Sequence, residues 1–175
     1  MSTPQEVAHE EMENHDVEEG AVIRSGSPGR VVVLNGEPFT ARVKRPVHSI
    51  REPRTSHEEV PVEQQQQLEE VVRVRLTLRR RQFYHMNLFL NLPSASAATP
   101  IASTPHFASA FNHTPLISPG ELEEELHTTL FSFGISDIVS QLGLSLHPYL
   151  LLTFVPTGRF KDAPVTINAI TIDLE

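Results

Sequence analysis

The fold is decided at residues 72–79, where the sequence is Val72-Arg73-Val74-Arg75-Leu76-Thr77-Leu78-Arg79. Apolar and polar side chains alternate without exception along this segment. Because successive side chains of a β-strand point to opposite faces, a period of two puts all the apolar ones on one buried face and the arginines in solvent. The segment therefore predicts a strand whose buried side is Val72, Val74, Leu76 and Leu78.

Other segments predict further short strands around this one. In residues 86–90 the side chains of Leu88 and Leu90 fall on one side, and residues 149–155 are apolar on both sides, as in a central strand. Residues 121–133 are ambiguous, since the acidic first half suits a helix, whereas 128–133 favours a strand. Asn35-Gly36 marks a turn. The remaining predicted strands are 21–24, 30–35, 38–43, 107–111 and the pair 165–167 and 170–172, which we place at an edge.

One helix is predicted, at residues 135–143. Ser136 is suited to accept the free amides of the first turn, and Gly143 can take the left-handed conformation at the exit. The apolar stripe is Ile135, Ile138, Val139 and Leu142. Many short strands with frequent turns and one short helix predict an all-β fold, an antiparallel β-sandwich of about seven or eight strands.

Composition and charge divide the chain into a tail and one domain. The 175 residues include 14 prolines and no cysteine, which excludes disulfides, thiolate metal sites and a cysteine nucleophile. Residues 1–20 hold seven acids and no Lys or Arg, so the net charge of −8 belongs almost entirely to them. We expect 1–20 to be a disordered acidic tail, 21–175 to be the domain, and the proline- and glutamine-rich 47–67 to be a flexible loop within it.

Several motifs, taken in order, resemble the C-terminal domain of plant polyphenol oxidases, the plastid catechol oxidases. Arg42-Val43-Lys44-Arg45-Pro46 is similar to the family's VKRP strand end, and His85-Met86-Asn87-Leu88 lines up with its KFDV signature, keeping the strand pattern but losing both charges. Residues 107–111 resemble FAGSF, the predicted helix resembles LGITDLLEDLG, and 150–156 and 165–167 resemble VLVTLVP and VTIGG. The likeness spans roughly residues 30–174.

The resemblance implies a β-sandwich that packs against a catalytic domain, covers the entrance of its copper site and holds the enzyme latent. In that family the catalytic domain precedes this segment and binds two copper ions, each through three histidines. No such helix bundle occurs here, so no cofactor is predicted in this chain. A polyphenol oxidase catalytic domain, or another protein, is the expected partner.

The residues themselves favour a chain without catalytic activity of its own. A copper pair needs six imidazoles brought together, usually from helices. The nine histidines are scattered, none is in the predicted helix, and no His-x-x-x-His occurs. There is also no Gly-x-Ser-x-Gly and no Gly-rich phosphate loop. The adjacent acids Glu123, Glu124 and Glu125 do not converge as paired carboxylates would. No catalytic residue and no metal ligand is predicted.

A basic strand is the one candidate interaction surface. It consists of Arg73, Arg75, Arg79, Arg80 and Arg81, with Phe83 and Tyr84 nearby as stacking groups. Nucleic-acid binding is disfavoured because the chain is acidic overall and alternation already explains two of the arginines. A docking surface for an acidic partner fits equally well, and the acidic tail is one such partner.

Two features of the sequence bear on the cellular compartment. No run of about 18 apolar residues exists, so no membrane-spanning helix is predicted. The acidic N-terminus is unlike a transit peptide, so the chain as written is expected to be cytosolic, or to be a fragment whose targeting segment lies elsewhere. Members of the family are plastid proteins.

Three functions remain open on the sequence alone. The first is a non-catalytic docking domain related to the latency domain of polyphenol oxidase. The second is a fragment of a catechol oxidase that has no activity of its own. The third is a free-standing interaction module that uses the arginines from Arg73 to Arg81.

Overall fold

The computed structural model describes residues 31–49, 68–115, 125–157, 160 and 163–175. They form eight strands, a single turn of 3-10 helix at Val47–Ser49 and one short α-helix, α1 (Ser136–Gln141). The strands are β1 (Val32–Leu34), β2 (Phe39–Lys44), β3 (Glu70–Arg79), β4 (Tyr84–Leu90), β5 (Phe107–His113), β6 (Leu126–Gly134), β7 (Tyr149–Pro156) and β8 (Val165–Leu174).

Two four-stranded antiparallel sheets face each other. One sheet has the order β1-β8-β3-β6 and the other has the order β2-β7-β4-β5. The prediction of an all-β antiparallel sandwich with one short helix is confirmed. The strand at 128–133 is confirmed as well, since β6 pairs with β3 there, whereas residues 121–124 of the ambiguous segment lie outside the described residues.

β3 lies inside its sheet, between β8 and β6, and carries one wall of the core. Its predicted apolar face is confirmed, since Val72, Val74, Leu76 and Leu78 are all fully buried. The register against β8 shifts between Arg75 and Leu76, and the register against β6 is continuous. The strict alternation of apolar and polar residues therefore gives β3 one buried face and one solvent-facing side.

The opposite sheet is buried more deeply, because β4 has a core on both of its faces. Leu88 and Leu90 point into the main core, as predicted, whereas Phe89 joins a second cluster with Val155 and Ala95. Ala95 belongs to the segment between β4 and β5, which covers this outer face of the sheet. β7 lies between β2 and β4, which confirms the prediction of a central strand at 149–155.

Two local predictions about α1 met different outcomes. Gly143 does take the left-handed conformation, with φ of 68°, and the apolar stripe packs on the main core. Ser136 is not the N-cap, however: Ile135 occupies that position, and no side chain caps the first turn. The Ser136 hydroxyl instead accepts a hydrogen bond from the Glu70 amide at 2.8 Å, so tertiary contact with β3 replaced local capping.

The prediction that the chain closes as an edge was wrong for half of its last strand. Residues 165–172 form one continuous strand, and β1 pairs with it along Val165, Thr166 and Ile167. β8 is thus an interior strand there and is open only beyond the short β1. The reason is the turn at Asn35-Gly36, which sends β1 and β2 to different sheets instead of pairing them.

Some sequence predictions fall outside the described residues. These are the strand at 21–24, the acidic tail 1–20 and, apart from the turn at Val47–Ser49, the loop 47–67. Among the helices that are described, none is long and apolar enough to cross a membrane.

Candidate interaction surface

The arginines of β3 lie on the solvent side of its sheet. Arg73, Arg75 and Arg79 alternate with the buried apolar residues and point away from the core. Uncharged residues flank Arg75 in particular, since Leu130 of β6 and Ala169 of β8 stand beside it. The outer face of this sheet therefore mixes arginine with apolar and small side chains.

The five predicted surface arginines do not form one patch. Arg73 makes ion pairs with Asp173 and Glu175 at the end of the chain. Arg80 pairs with Glu125 at 3.2 Å in the β3–β4 connection, where Arg81 also lies. Arg75 is exposed, and no carboxylate among the described residues pairs with it. Two of the five, Arg73 and Arg80, are thus paired with nearby acids, and Arg75 is the most exposed of the three arginines on β3.

The VKRP-like segment lies on β2, at the edge of the opposite sheet. Val43 is fully buried, whereas Arg42 and Lys44 are exposed. The Arg42 guanidinium stacks 4.1 Å above the centre of the Tyr149 ring, a cation–π contact across the β2–β7 pair. Pro46 is half-buried and follows the strand end. These charges belong to a different face from the arginines of β3.

Arg45, the next residue of the motif, is buried and paired with Glu70. Its Nε and Nη2 donate to the two Glu70 carboxylate oxygens at 2.8 and 2.6 Å. Its Nη1 donates to the backbone carbonyls of Leu144, Ser145 and His147 at 2.9–3.0 Å. Because every buried N–H finds an acceptor, the charge is tolerated in the core.

The sequence carries a signal for this pair in the alternation of β2 and β3. Glu70 stands two residues before Val72, so the alternation of β3 assigns it to the inward face, where a lone carboxylate needs a cationic partner. Arg45 directly follows β2 and faces inward in the same way, two residues after Val43. The pair connects β2 with the opposite sheet and with the segment after α1, which makes it a structural site.

The KFDV-like segment lies on β4 and is also structural. Met86 and Leu88 are fully buried in the main core, and the His85 ring contacts the Thr157 hydroxyl. Asn87 is only 6% exposed, and its Oδ1 accepts no hydrogen bond within the described part of the chain. Three of the four signature positions, Met86, Asn87 and Leu88, are therefore buried and pack the fold.

Tyr84, at the start of β4, is a titratable side chain whose pKa is clearly shifted by its surroundings. Burial raises the pKa of its phenol, and the Arg79 amide that donates to the phenol oxygen, together with the Arg79 charge, opposes this to a smaller extent. The phenol is packed against the rings of His113 and Phe160. A neutral, enclosed phenol of this kind supports the core and has no access to a substrate.

Histidines do not gather into a metal site among the described residues. The His106 Nδ1 donates to the Leu90 carbonyl at 2.8 Å, and the His113 Nε2 donates to the Arg80 carbonyl at 3.1 Å. His127 is on the far edge strand, and His147 is exposed. No group of three or more His, Cys, Asp or Glu residues in the described ranges is placed to hold a metal ion.

Comparison with known families identifies the same domain as the motifs did. Residues 33–174 match the family described as the chloroplastic polyphenol oxidase C-terminal domain, and the copper-binding domain is not part of that match. Comparison with curated protein sequences gave no match.

Solved structures that resemble this chain include enzymes much longer than it. A latent aurone synthase (polyphenol oxidase), co-crystallised with hexatungstotellurate(VI), is similar over 90% of this chain and 28% of its own, with a TM-score of 0.61 and 20% identity. A latent apple tyrosinase is similar over 87% of this chain and 28% of its own, with a TM-score of 0.57 and 18% identity. The chain thus spans about a quarter of the length of these structures.

Proposed function

Since the chain belongs to the family of chloroplastic polyphenol oxidase C-terminal domains, we propose that it is a non-catalytic domain that docks on a copper-oxidase domain and shields it. The observation that carries the proposal is the extent of the match, which covers nearly the whole described fold with one C-terminal domain. The similar structures are named as latent enzymes, and this chain corresponds to about a quarter of each. Shielding is a role that this part of the enzyme can perform without any catalytic residue.

The chemistry of the described residues agrees with a docking role. Activation of oxygen by a copper pair requires imidazoles that converge on two ions. In the described sandwich these polar groups bond within the fold instead. Arg45 and Glu70 form an ion pair, and His106 and His113 donate hydrogen bonds to backbone carbonyls. What it offers a partner is surface, namely the Arg75 face and the uncharged edge strands described below.

The decisive experiment adds the purified chain to a polyphenol oxidase catalytic domain from which its own C-terminal domain has been removed. We expect a complex on size-exclusion chromatography and a fall in catechol oxidation that saturates as the chain is added. Absence of both a complex and inhibition would overturn the proposal.

A matched control separates shielding from copper chelation. The variant His9→Ala/His15→Ala removes two histidines of the acidic N-terminal segment, which are the ones most able to strip copper adventitiously. The variant is expected to inhibit as strongly as the natural chain. Inhibition that disappears in the variant, or that added copper reverses, would mean chelation and would contradict shielding.

The alternative of a catechol oxidase fragment makes a different prediction about what lies next to this coding sequence. A histidine-bearing reading frame directly upstream of Met1 would favour the fragment. Copper analysis and a catechol oxidation assay on the purified chain complete the comparison. About two equivalents of copper together with activity would contradict every non-catalytic interpretation.

A second candidate function, an interaction module for an acidic partner, is favoured by Arg75. This exposed arginine has no ion-pair partner among the described residues, and Arg79 lies on the same face. We propose a synthetic peptide of residues 1–20 as the probe, since it has seven acids and no base. Binding should weaken as salt rises and should be lost in Arg75→Glu/Arg79→Glu.

The control for this test is Lys44→Glu, which reverses an exposed charge on the opposite sheet. It should leave peptide binding unchanged. Equal losses in Lys44→Glu and in the double arginine variant would show that only net charge matters, and the arginine face would then have no specific role.

The compartment is proposed from the family, which is described as chloroplastic. A chain that shields a plastid enzyme must meet it in the plastid. Expression of the complete gene product fused to a fluorescent protein tests this. Fluorescence confined to the cytosol would argue against a plastid partner.

A further inference from the structure

β6 has an open edge whose unpaired backbone groups can be identified. The Arg80 amide donates to the Glu125 carbonyl at 2.9 Å, and the Ile135 amide donates to the Glu70 carbonyl at 2.8 Å. Both contacts fit the continuous β3–β6 register, so the odd-numbered residues of β6 bond to β3. The even-numbered residues, from Leu126 to Gly134, therefore direct their N–H and C=O groups outward, where no described strand pairs with them.

This open edge lacks the features that normally protect a strand from pairing. Edge strands are usually kept apart by charged side chains, proline, bulges or short length. β6 is nine residues long, Leu-His-Thr-Thr-Leu-Phe-Ser-Phe-Gly, with no Asp, Glu, Lys, Arg or Pro, and its pairing with β3 has no bulge. Leu126 and Leu130 are 66% and 56% exposed. On the opposite side of the sandwich, in contrast, β2 presents Arg42 and Lys44.

The neighbouring edge of the second sheet is equally uncharged. β5 (Phe-Ala-Ser-Ala-Phe-Asn-His) also contains no Asp, Glu, Lys or Arg. The Phe111 ring of β5 meets the Phe131 ring of β6 edge-on, with centroids 5.3 Å apart, so the middles of the two edge strands lie together. Within the described part of the chain, β5 and β6 thus form a two-strand edge surface without Asp, Glu, Lys or Arg.

We propose that this side binds a second copy of the chain, through antiparallel pairing of β6 with β6 about a two-fold axis at Leu130. Leu130 is the middle residue of β6 and one of those whose backbone groups face outward. The axis sets Leu130 opposite itself, Thr128 opposite Ser132, and Leu126 opposite Gly134. All are pairs with outward backbone groups, which is what a hydrogen-bonded antiparallel ladder requires.

Self-pairing suits this strand because an isologous contact places each residue near its own copy. Any charge close to the axis would meet the same charge, and like charges directly opposite are destabilising. β6 contains no charged residue, so two copies of it can pair without repulsion between like charges. Leu126 meets Gly134, which has no side chain of its own, although the exposed Glu69 carboxylate that lies across Gly134 must move aside.

The size of the surface predicts a weak dimer. Each copy contributes the nine residues of β6 and the facing part of the seven of β5. Stable interfaces usually have about 20–30 residues on each side, so this one belongs to the small, concentration-dependent class. Sedimentation equilibrium on the full chain should show a monomer that converts to a dimer as concentration rises into the micromolar range and above.

Disulfide trapping tests the axis directly, because the natural chain has no cysteine. In Leu130→Cys the two sulfur-bearing residues would face each other at a Cα separation of about 5.5 Å, which suits a disulfide. The matched control is Val33→Cys, on the edge strand at the other side of the sandwich, where the natural valine is 55% exposed. Mild oxidation should cross-link Leu130→Cys quickly and Val33→Cys slowly.

Charge exchange gives a second test that does not depend on a variant failing to fold. Leu130→Lys and Leu130→Glu should each be monomeric, with self-association weakened at least about tenfold by the like charges on the axis. Mixed in equal amounts they should form a heterodimer, since the opposite charges then meet. Val33→Lys should dimerise like the natural chain.

Three results would overturn the proposal. One is a natural chain that stays monomeric throughout the concentration series, which would assign the edge to another occupant or to none. The second is cross-linking of Leu130→Cys no faster than that of Val33→Cys. The third is dimerisation of Leu130→Lys as strong as that of the natural chain. None of these outcomes bears on shielding of a copper-oxidase domain, which the inhibition assay tests separately.

Discussion

Arg45 carries a charge in the core without leaving a donor unpaired. It donates to both oxygens of Glu70 and to a row of backbone carbonyls after α1, and its own side chain is almost fully enclosed. A pair of this kind adds little net stability compared with apolar packing, but the loss of one partner leaves a buried charge alone. Its value to the fold is therefore the geometry that it imposes at the end of β2.

Removal of one partner should be strongly destabilising. Arg45→Met leaves the Glu70 carboxylate buried and unpaired, and we expect a loss of about 3–5 kcal/mol in the free energy of unfolding. Urea denaturation followed by circular dichroism measures it. The double variant Arg45→Met/Glu70→Leu should recover much of the loss, and Lys44→Met should stay within about 0.5 kcal/mol. A double variant as unstable as the single one would contradict this account.

Tyr84 should make stability depend on alkaline pH. Burial raises the pKa of its phenol above the ordinary value of about 10, so the unfolded chain loses this proton first as pH rises. The contribution is fully present below that pH and is lost as pH rises from about 10 through the folded-state pKa. Unfolding free energies measured from pH 9 to about 11 should fall more steeply in the natural chain than in Tyr84→Phe. Parallel curves would contradict the shift.

At the scale of elements, the short helix is stabilised by packing and is ended by a special backbone conformation. α1 has only six residues and no side-chain cap, so its stability comes from the apolar contacts of Ile135 and Val139 with the core. Its exit depends on Gly143, whose positive φ sends the chain back toward the sandwich. No atom lies within 4 Å of the place where a Cβ would be, so any cost of substitution is conformational.

Gly143→Ala should therefore destabilise the protein by about 1–2 kcal/mol through backbone strain alone. Gly143→Asn should cost clearly less, because asparagine tolerates the left-handed conformation better. Chemical denaturation of the two variants beside the natural chain measures the difference. Equal losses in both variants would indicate a packing defect, against the open space at this position.

At the scale of the whole molecule, the net negative charge is concentrated in the first 20 residues of the sequence. Residues 1–20 hold −7 of the net charge of −8, whereas the described sandwich contains both acids and bases and pairs several of them internally. We propose that this acidic segment is a disordered tail that contributes surface charge and not stability. The strands, the helix and the buried pair all lie at or after Val32.

Deletion of residues 1–20 should therefore leave the free energy of unfolding unchanged within about 0.5 kcal/mol. The midpoint of thermal or urea unfolding, compared at matched ionic strength, provides the measurement. Only the net charge, and with it the elution from an anion exchanger, should change. A clearly lower midpoint would mean that the acidic segment packs on the domain, against the assignment of a tail.

Prediction succeeded where the burial or the backbone conformation of a residue depends on its immediate neighbours in sequence. Val72 to Leu78 alternate, so their burial followed from strand geometry, and Gly143 was recognisable as a helix exit. It failed where the outcome depends on a distant partner. Ser136 had the right chemistry for a cap, but the Glu70 amide took its hydroxyl. The closing strand was placed at an edge because the sequence gives no sign that β1 pairs with it.

By itself, the sequence determined the class of fold, the inward faces of its strands, the single helix and the family, because periodicity and motif order are local properties that are written along one chain. Only the tertiary structure decided which strands became neighbours, that Arg45 found Glu70, and that β5 and β6 ended together as a neutral side. These depend on contacts between residues far apart in sequence, and loop closure can bring many alternative pairs together at similar entropic cost. Packing of the whole core selects among them.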